Sequence, residues 1–439
     1  MPAPTIITDS ELQGLLKNVY AAYRMKVQNL VTPLLAQLQR AKSGGAKNLR
    51  WGGNNVFWDV VVGRPAGATF SPGGWFPADT TATEKQANVG IARAYTTRQI
   101  DGLAFVGTAS KEAAFETIAR KTMEEIREAS SLLMQQALHN KKDGVVALVV
   151  SRTSDTEFVI SSPYGVSGAG QGGLLLAIGD TIAILDTSNA NAVLGRAQIL
   201  SIVNSGDNAT ITVNAPINAA TVAATDKVVK ATANDTSFNA AMHGLIDITN
   251  RAAGYNDLHN ISAANFPIWD AVRMVAGTDT PDASQPTESD IWDLIQLIFA
   301  RSGKNAQQNP REFLLLSTPG VAKKLMESMV SQRRFTSGEF STTIKGGYKA
   351  IEVNGIPMVT DPYVPAGTIY LIHIPSLAWV DAKDWSNVEF ESAGSWRWLP
   401  SRDAFETTYG YYGNIATLAR NAHGSITGYA DTKRYTHVV

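Results

Sequence analysis

Apolar residues near the start of the chain recur every three or four positions. Leu12, Leu15, Leu16, Val19, Tyr20 and Tyr23 share one helical face, opened by Thr8 and Glu11 at capping-box spacing with Ile7 and Leu12 as a hydrophobic staple. A second series, Val27, Leu30, Val31, Leu34, Leu35 and Leu38, runs past Pro33, which should kink or restart the helix before Ser43-Gly44-Gly45 ends it. Residues 1–50 therefore read as a helical arm. Over residues 51–107 the period shortens to two, from Val56 to Val62 and from Gly90 to Tyr95, with aromatic residues scattered among Gly and Pro, so a long two-stranded excursion is expected. Helical spacing returns with Phe115, Ile118, Thr122, Ile126, Ala129, Leu133 and Ala137, predicting one long helix from Thr108 to Asp143 with a single apolar stripe.

Residues 145–235 change to short alternating runs separated by Gly, Asn and Asp: Val145–Val150, Glu157–Ser161, Thr181–Leu185, Gln198–Val203, Thr210–Val213 and Lys227–Lys230. This spacing predicts a small all-β barrel or sandwich, a separate domain inserted between the long helix and the C-terminal half of the chain. Beyond it the pattern is mixed. Helices are expected near Asp235–Ala253, from Thr287 to Arg301 with Thr287 and Asp290 as the capping pair and Gly303 as the stop, and from Thr318-Pro319 to about Ser331. Strands are expected at Phe313–Leu316, Lys349–Val353, Pro357–Val359, Thr368–Ile374, Leu377–Val380, Val388–Glu391 and Phe405–Leu418.

Composition narrows the function. The 439 residues contain no Cys, which removes thiolate catalysis, Cys-ligated metals and disulfides together. The 38 basic and 39 acidic side chains nearly cancel, which argues against a free nucleic-acid reader. That balance is uneven along the chain. Residues 1–50 hold seven Lys/Arg against two acids, whereas 145–235 hold four against seven. No signal peptide is read at Met1-Pro2-Ala3, and no apolar run reaches the ~20 residues of a membrane span, so a cytosolic origin without membrane contact is expected.

Candidate chemistry is sparse. Gly168, Gly170 and Gly173 have dinucleotide-loop spacing, but a strand follows where the pyrophosphate site needs a helix N-terminus, so a surface loop is expected. Asp186 and Asp235 each open an Asp-Thr-Ser triplet resembling half of an aspartic-peptidase site, yet both lack the following glycine and suit ordinary turns; a hydrolase built on them is the remote alternative. The six histidines show no metal-ligand spacing. No enzyme, metal or cofactor is expected.

The order of segments resembles the major capsid protein family of tailed bacteriophages, the Hong Kong phage-type capsid fold shared with encapsulin nanocompartments. The closest match is the strand Phe313–Leu316, the Ser317-Thr318-Pro319 helix, Val353-Asn354-Gly355-Ile356-Pro357-Met358-Val359 and Pro365-Ala366-Gly367-Thr368-Ile369-Tyr370. Trp379-Val380-Asp381, Val388–Glu391 and Phe405–Thr427 resemble the family's peripheral strands and closing long strand.

The resemblance implies an α+β capsid fold: N-terminal arm (1–50), extended β-hairpin loop (51–107), spine helix (108–144), inserted β domain (145–235), axial domain (236–375) and peripheral strands returning to the axial domain (376–439). It implies a structural subunit that assembles with itself into hexamers and pentamers of an icosahedral shell around double-stranded DNA. Portal, scaffolding and decoration proteins are implied partners, packaged DNA is contacted without sequence preference, and the virion is the destination. An encapsulin-like compartment is the alternative.

On this reading Trp51, Trp58, Trp75 and Phe76 are expected at buried subunit contacts, with Arg64 and Lys85 meeting acids of a neighbour. Some family members weld subunits through a loop Lys and a peripheral-domain Asn. Lys85 is the loop candidate, but Phe405–Tyr409 holds no Asn and Asn414 lies beyond, so no covalent link is expected. The acidic balance of 145–235 places that domain on the outer surface, away from DNA.

Overall fold

The computed structural model describes residues 34, 49–63, 70, 82–103, 118–167, 171–217, 222–232, 234–249, 257–332, 342–344, 348–388, 396–399 and 402–431. The predicted arm, the start of the long helix and Gly168–Gly170 lie outside these. Of the arm, Leu34, Leu49 and Arg50 are described: Leu34 is helical and buried in the same core as Met134 and Leu138, and Arg50 already opens a strand.

Strand β1 (Arg50–Gly52) turns into β2 (Asn55–Gly63), which pairs antiparallel with β3 (Thr83–Gly90) as far as Gly63 opposite Thr83. Val56, Trp58 and Val62 alternate inward as the period of two requires, with Trp58 opposite Ala87 and Val56 opposite Val89. The excursion is more than a hairpin, because β4 (Ala92–Asp101) turns away after Gly90 and pairs along its whole length with the last long strand of the chain. Cross-strand partners explain the choice: Tyr95 meets Tyr412, Thr97 meets Thr408, and Gln99 donates to Glu406.

Helix α1 (Ile118–His139) buries Thr122, Ile126, Ser130, Met134 and Leu138, a line at every fourth residue that drifts off the Leu133–Ala137 stripe the sequence pattern suggested. Ser130 fits there because its hydroxyl donates to the Ile126 carbonyl. Next, β5 (Val145–Ser154), β6 (Glu157–Ser161), β7 (Thr181–Asp186), β8 (Ala192–Ser205), β9 (Asn208–Val213) and β10 (Lys227–Lys230) close into a barrel in the order β10-β5-β6-β9-β8-β7. Phe158, Ile160, Ile182, Ile184, Ile199 and Ile211 fill it. The strand expected from Thr181 forms there, while the apolar run before it, from Leu174, is not strand, because Gly179 takes φ 91° and the Asp180 carboxylate holds the Ala177 amide in a turn.

The helix expected from Asp235 shrinks to α2 (Leu245–Thr249) within the described residues. The Asp235 carboxylate accepts from the Thr236 amide, and Asn239 is left-handed at φ 56°, so the stretch before α2 is spent on turns. A short hairpin of β11 (Asp257–Leu258) and β12 (Ile261–Ser262) turns on His259 and Asn260, both at positive φ. Strand β13 (Val272–Val275) and α3 (Glu288–Ser302) follow. The expected capping box is formed: Thr287 Oγ1 accepts from the Asp290 amide and the Asp290 carboxylate from the Thr287 amide, while Gly303 ends the helix at φ 70°.

Strand β14 (Phe313–Ser317) is buried throughout and α4 (Pro319–Gln332) starts on its proline. The chain ends with β15 (Thr342–Ile344), β16 (Tyr348–Val353), β17 (Ile356–Thr360), β18 (Ile369–His373), β19 (Leu377–Asn387), β20 (Arg397–Trp398), β21 (Ala404–Thr417) and β22 (Gly424–Thr427). Strand β19 runs past the expected Val380 by absorbing two bulges, and Val388 adds one bond to Thr408; residues 389–391 lie outside the described set.

Two sheets organise the body. The seven-stranded sheet β13-β22-β18-β14-β17-β16-β15 carries α3 and α4 on one face over Val272, Met274, Leu315, Ile369, Leu371 and Ile426. On its other face Leu314, Leu316 and Ile372 meet α1, α2 and β21. The second sheet is β4, β21, β19 and β20. Gly424 allows β22 to pass beneath α3, since a Cβ there would stand 2.8 Å from Leu294 Cδ1.

Candidate assembly interface

The expected contact residues separate once placed. Arg64, Trp75 and Phe76 lie outside the described residues. Trp51 stands at the hairpin base with 53% of its surface exposed, and Val61 and Phe70 are exposed further along. Trp58, expected at a subunit contact, is only 4% exposed within its own chain and packs there with Val56, Val89, Trp269 and Val380. Its alternation with Val56 and Val62 carried that signal. Trp58→Ala is expected to cost about 3–5 kcal/mol of folding stability, read from urea unfolding, as a large buried aromatic should. A loss under about 1 kcal/mol would return Trp58 to the surface role.

Lys85 is exposed but lies over the ring of Phe266 at 5.5 Å within the same chain. Asn414 is buried and used up structurally: its Oδ1 accepts from the His243 and Ile415 amides and its Nδ2 donates to the Gly90 carbonyl. It thus fastens α2's approach, the hairpin end and β21 together.

A second apolar surface was missed from sequence. Trp292, Leu297 and Phe299 on α3 and Met326 on α4 are large and half-exposed, on the outside of helices whose inner faces hold Ile291, Leu294, Ile295, Ile298 and Leu325. Trp292 and Phe299 lie seven residues apart, off the buried stripe; that second stripe was the available clue.

Behind the hairpin is a buried polar junction. His259 Nε2 accepts from the Thr417 amide at 3.1 Å, and its carbonyl accepts from Asn88 of β3. Its ring meets Trp58 and His243 edge-on at 5.0 and 5.3 Å. His423 Nδ1 accepts from the His373 amide at 3.3 Å, so its Nε2 carries the proton toward Thr417 Oγ1, 3.0 Å away. Burial first, then His243 and Arg420, hold the His259 pKa well below normal; burial, His373 and Arg420 bring His423 to about 3. Both imidazoles are therefore neutral.

Arg420, fully buried, donates through Nε to the Ile248 carbonyl at 2.9 Å and through Nη2 to the Asp247 carbonyl at 3.3 Å, while Nη1 lies 3.5 Å from Asp270. It caps the carbonyl end of α2 with a positive charge. Near the C-terminal end of α1, His139 Nε2 stands 3.0 Å from Asp361, with Gln135 donating to the same carboxylate, which fixes α1 to the loop after β17.

The hydrolytic candidates are turns. The Asp186 carboxylate is exposed and accepts from the Ser188 hydroxyl and the Ser188 and Asn189 amides; the Ser188 hydroxyl bond first, then the amides, lowers its pKa. Asp235 is exposed and engaged with Thr236 and Thr232 in its own turn. Among the described residues no cluster of His, Asp or Glu is arranged to hold a metal, and no helix is long and apolar enough to cross a membrane.

No protein-family model matches the chain, and no curated protein matches it in sequence. Its fold does have solved likenesses. The chain is similar to the cyanophage A-1(L) capsid asymmetric unit at 11% identity and a TM-score of 0.54, covering 97% of this chain and 100% of that one. It is more loosely similar to the holo-SrpI encapsulin complex from Synechococcus elongatus PCC 7942 (10% identity, 95% and 96% covered, TM-score 0.44) and to the capsid of a native GTA particle (8% identity, 94% and 96% covered, TM-score 0.44). The fold is thus a phage-capsid fold, as the order of segments implied.

Proposed function

We propose that this chain is a shell subunit, the major capsid protein of a tailed phage, which assembles with itself into hexamers and pentamers around double-stranded DNA. The observation that supports the reading is the likeness to the cyanophage A-1(L) capsid structure, which covers 97% of this chain and 100% of that one. The exposed apolar residues agree with it. Trp51, Val61 and Phe70 near the hairpin and Trp292 and Phe299 on α3 are the kind of surface that a monomer leaves wet and a neighbouring copy buries. On this reading the barrel faces outward, scaffolding, portal and decoration proteins are the partners, and the particle is the place of residence.

The experiment is an excision at the hairpin tip. Gly63 and Thr83 are paired, so residues 64–82 can be replaced by Asn-Gly, a two-residue turn that closes β2 on β3. The variant is expected to stay soluble and folded, with an unchanged circular dichroism spectrum, and to form no shells. Normal particles from it would overturn the role given to Arg64, Trp75 and Phe76.

A further inference from the structure

The face of the seven-stranded sheet that holds Leu314 and Leu316 changes character toward its β13 edge. Strand β14 contributes core there, but three strands further across, β18, β22 and β13 place Tyr370, Ser425 and Arg273 side by side in register. The next row holds Thr427 opposite Val275. On the reverse of the same strands Val272, Met274, Ile369 and Ile426 are ordinary core. The row runs from the core to solvent: Tyr370 and Ser425 are buried and Arg273 is exposed, so hydroxyls and a guanidinium stand where the sheet leaves its core.

The row is the floor of a cleft of about 350 Å³ between the sheet, α2 and the base of the barrel. Lys141, which follows α1, lines it too, so among the described residues its lining includes two cations and no carboxylate. Lys141 lies over the Tyr164 ring at 4.9 Å. Burial lowers the Lys141 pKa, and the nearby carboxylates of Asp143 and Asp247 oppose that shift; Asp143 also accepts from Tyr164 Oη and the Val145 amide, and Asp247 from the Lys142 amide and His243. Arg273 is exposed and makes no hydrogen bond or ion pair among the described residues. Ser425 is buried completely, and its hydroxyl has no hydrogen-bond partner among them. A buried, unmatched hydroxyl is costly to leave alone, so beside the Arg273 guanidinium it is suited to an acceptor supplied from outside. Pro163, Val166, Ile246 and Pro365 give the same cleft an apolar wall.

We infer that this cleft binds a phosphomonoester with a flat or apolar body, of nucleoside monophosphate size, the phosphate lying on Arg273 and Ser425 and the body against the proline wall. Its size is that of small-molecule sites, and the planar fork of Arg273 suits phosphate oxygens. The proposal does not rest on the shell reading, since among the described residues none of the hairpin or of the outer face of α3 lines the cleft.

Isothermal titration calorimetry of the full-length protein with adenosine monophosphate, adenosine and inorganic phosphate tests this. The expected result is saturable binding of the monophosphate in the micromolar to low millimolar range, with adenosine and phosphate each weaker. Arg273→Gln, a surface change that should leave folding intact, is expected to weaken it by about tenfold or more, and Ser425→Ala by about threefold or more. No saturable binding of the monophosphate, or binding that Arg273→Gln leaves unchanged while the thermal midpoint is also unchanged, overturns the assignment.

Discussion

Arg420→Met is expected to lose about 3–5 kcal/mol of folding stability, a large part of the roughly 5–15 kcal/mol a domain holds. The side chain has no solvent exposure, and two different parts of the chain depend on it: the carbonyls of Asp247 and Ile248 at the end of α2, and the buried Asp270 after the turn Pro267–Trp269. Methionine fills much of the volume but leaves the Asp270 charge without this cation and removes both carbonyls' donor. Lysine restores the charge without the planar fork, so Arg420→Lys should fall between the two. Urea unfolding at neutral pH measures the series; a Met variant within about 1 kcal/mol of the parent would mean that the junction is not held this way.

Acidification is expected to weaken the same junction before carboxylates begin to titrate. His423, whose pKa the fold lowers to about 3, and His259, held well below the usual value of 6.5, are both protonated in the unfolded chain at mildly acid pH. Between those values the unfolded state binds protons that the folded state refuses. Stability is therefore full above about pH 6.5 and falls as the pH drops, by up to about 1.4 kcal/mol per pH unit for each histidine. His259 cannot take the proton at Nε2 without giving up the Thr417 amide, nor His423 at Nδ1 without giving up that of His373. Urea midpoints measured at constant ionic strength from about pH 7.5 to about pH 5.5 should show the decline, and a flat profile would contradict it.

What the sequence made legible is what local chemistry decides. Thr287 with Asp290, Pro319 at the start of α4, the apolar run Phe313–Leu316 and the six strands of the barrel are all encoded within a few residues of where they act. The misplaced elements fail for the same reason in reverse. The helix expected from Asp235 was read from periodicity, and turn hydrogen bonds of Asp235 with a left-handed Asn239 displaced it. Strand β4 has a strand's pattern but no local mark of its partner, which lies some three hundred residues on.

The candidate interface was legible in part. Aromatic residues in a hairpin drew attention to Trp51 and Trp58 alike, but only the packing of Trp269 and Val380 from far along the chain tells the buried one from the exposed one. The histidines had no spacing to advertise them, because His259 meets its backbone donor across 158 residues and His423 shares Thr417 with it. Arg420 looked like any surface arginine for the same reason.

The central claim is that copies of this chain close into a shell. Electron microscopy of the purified full-length protein tests it most directly. Closed icosahedral particles built from hexamers and pentamers are the predicted result; monomers or small oligomers alone, under conditions where the protein is folded and concentrated, would contradict it.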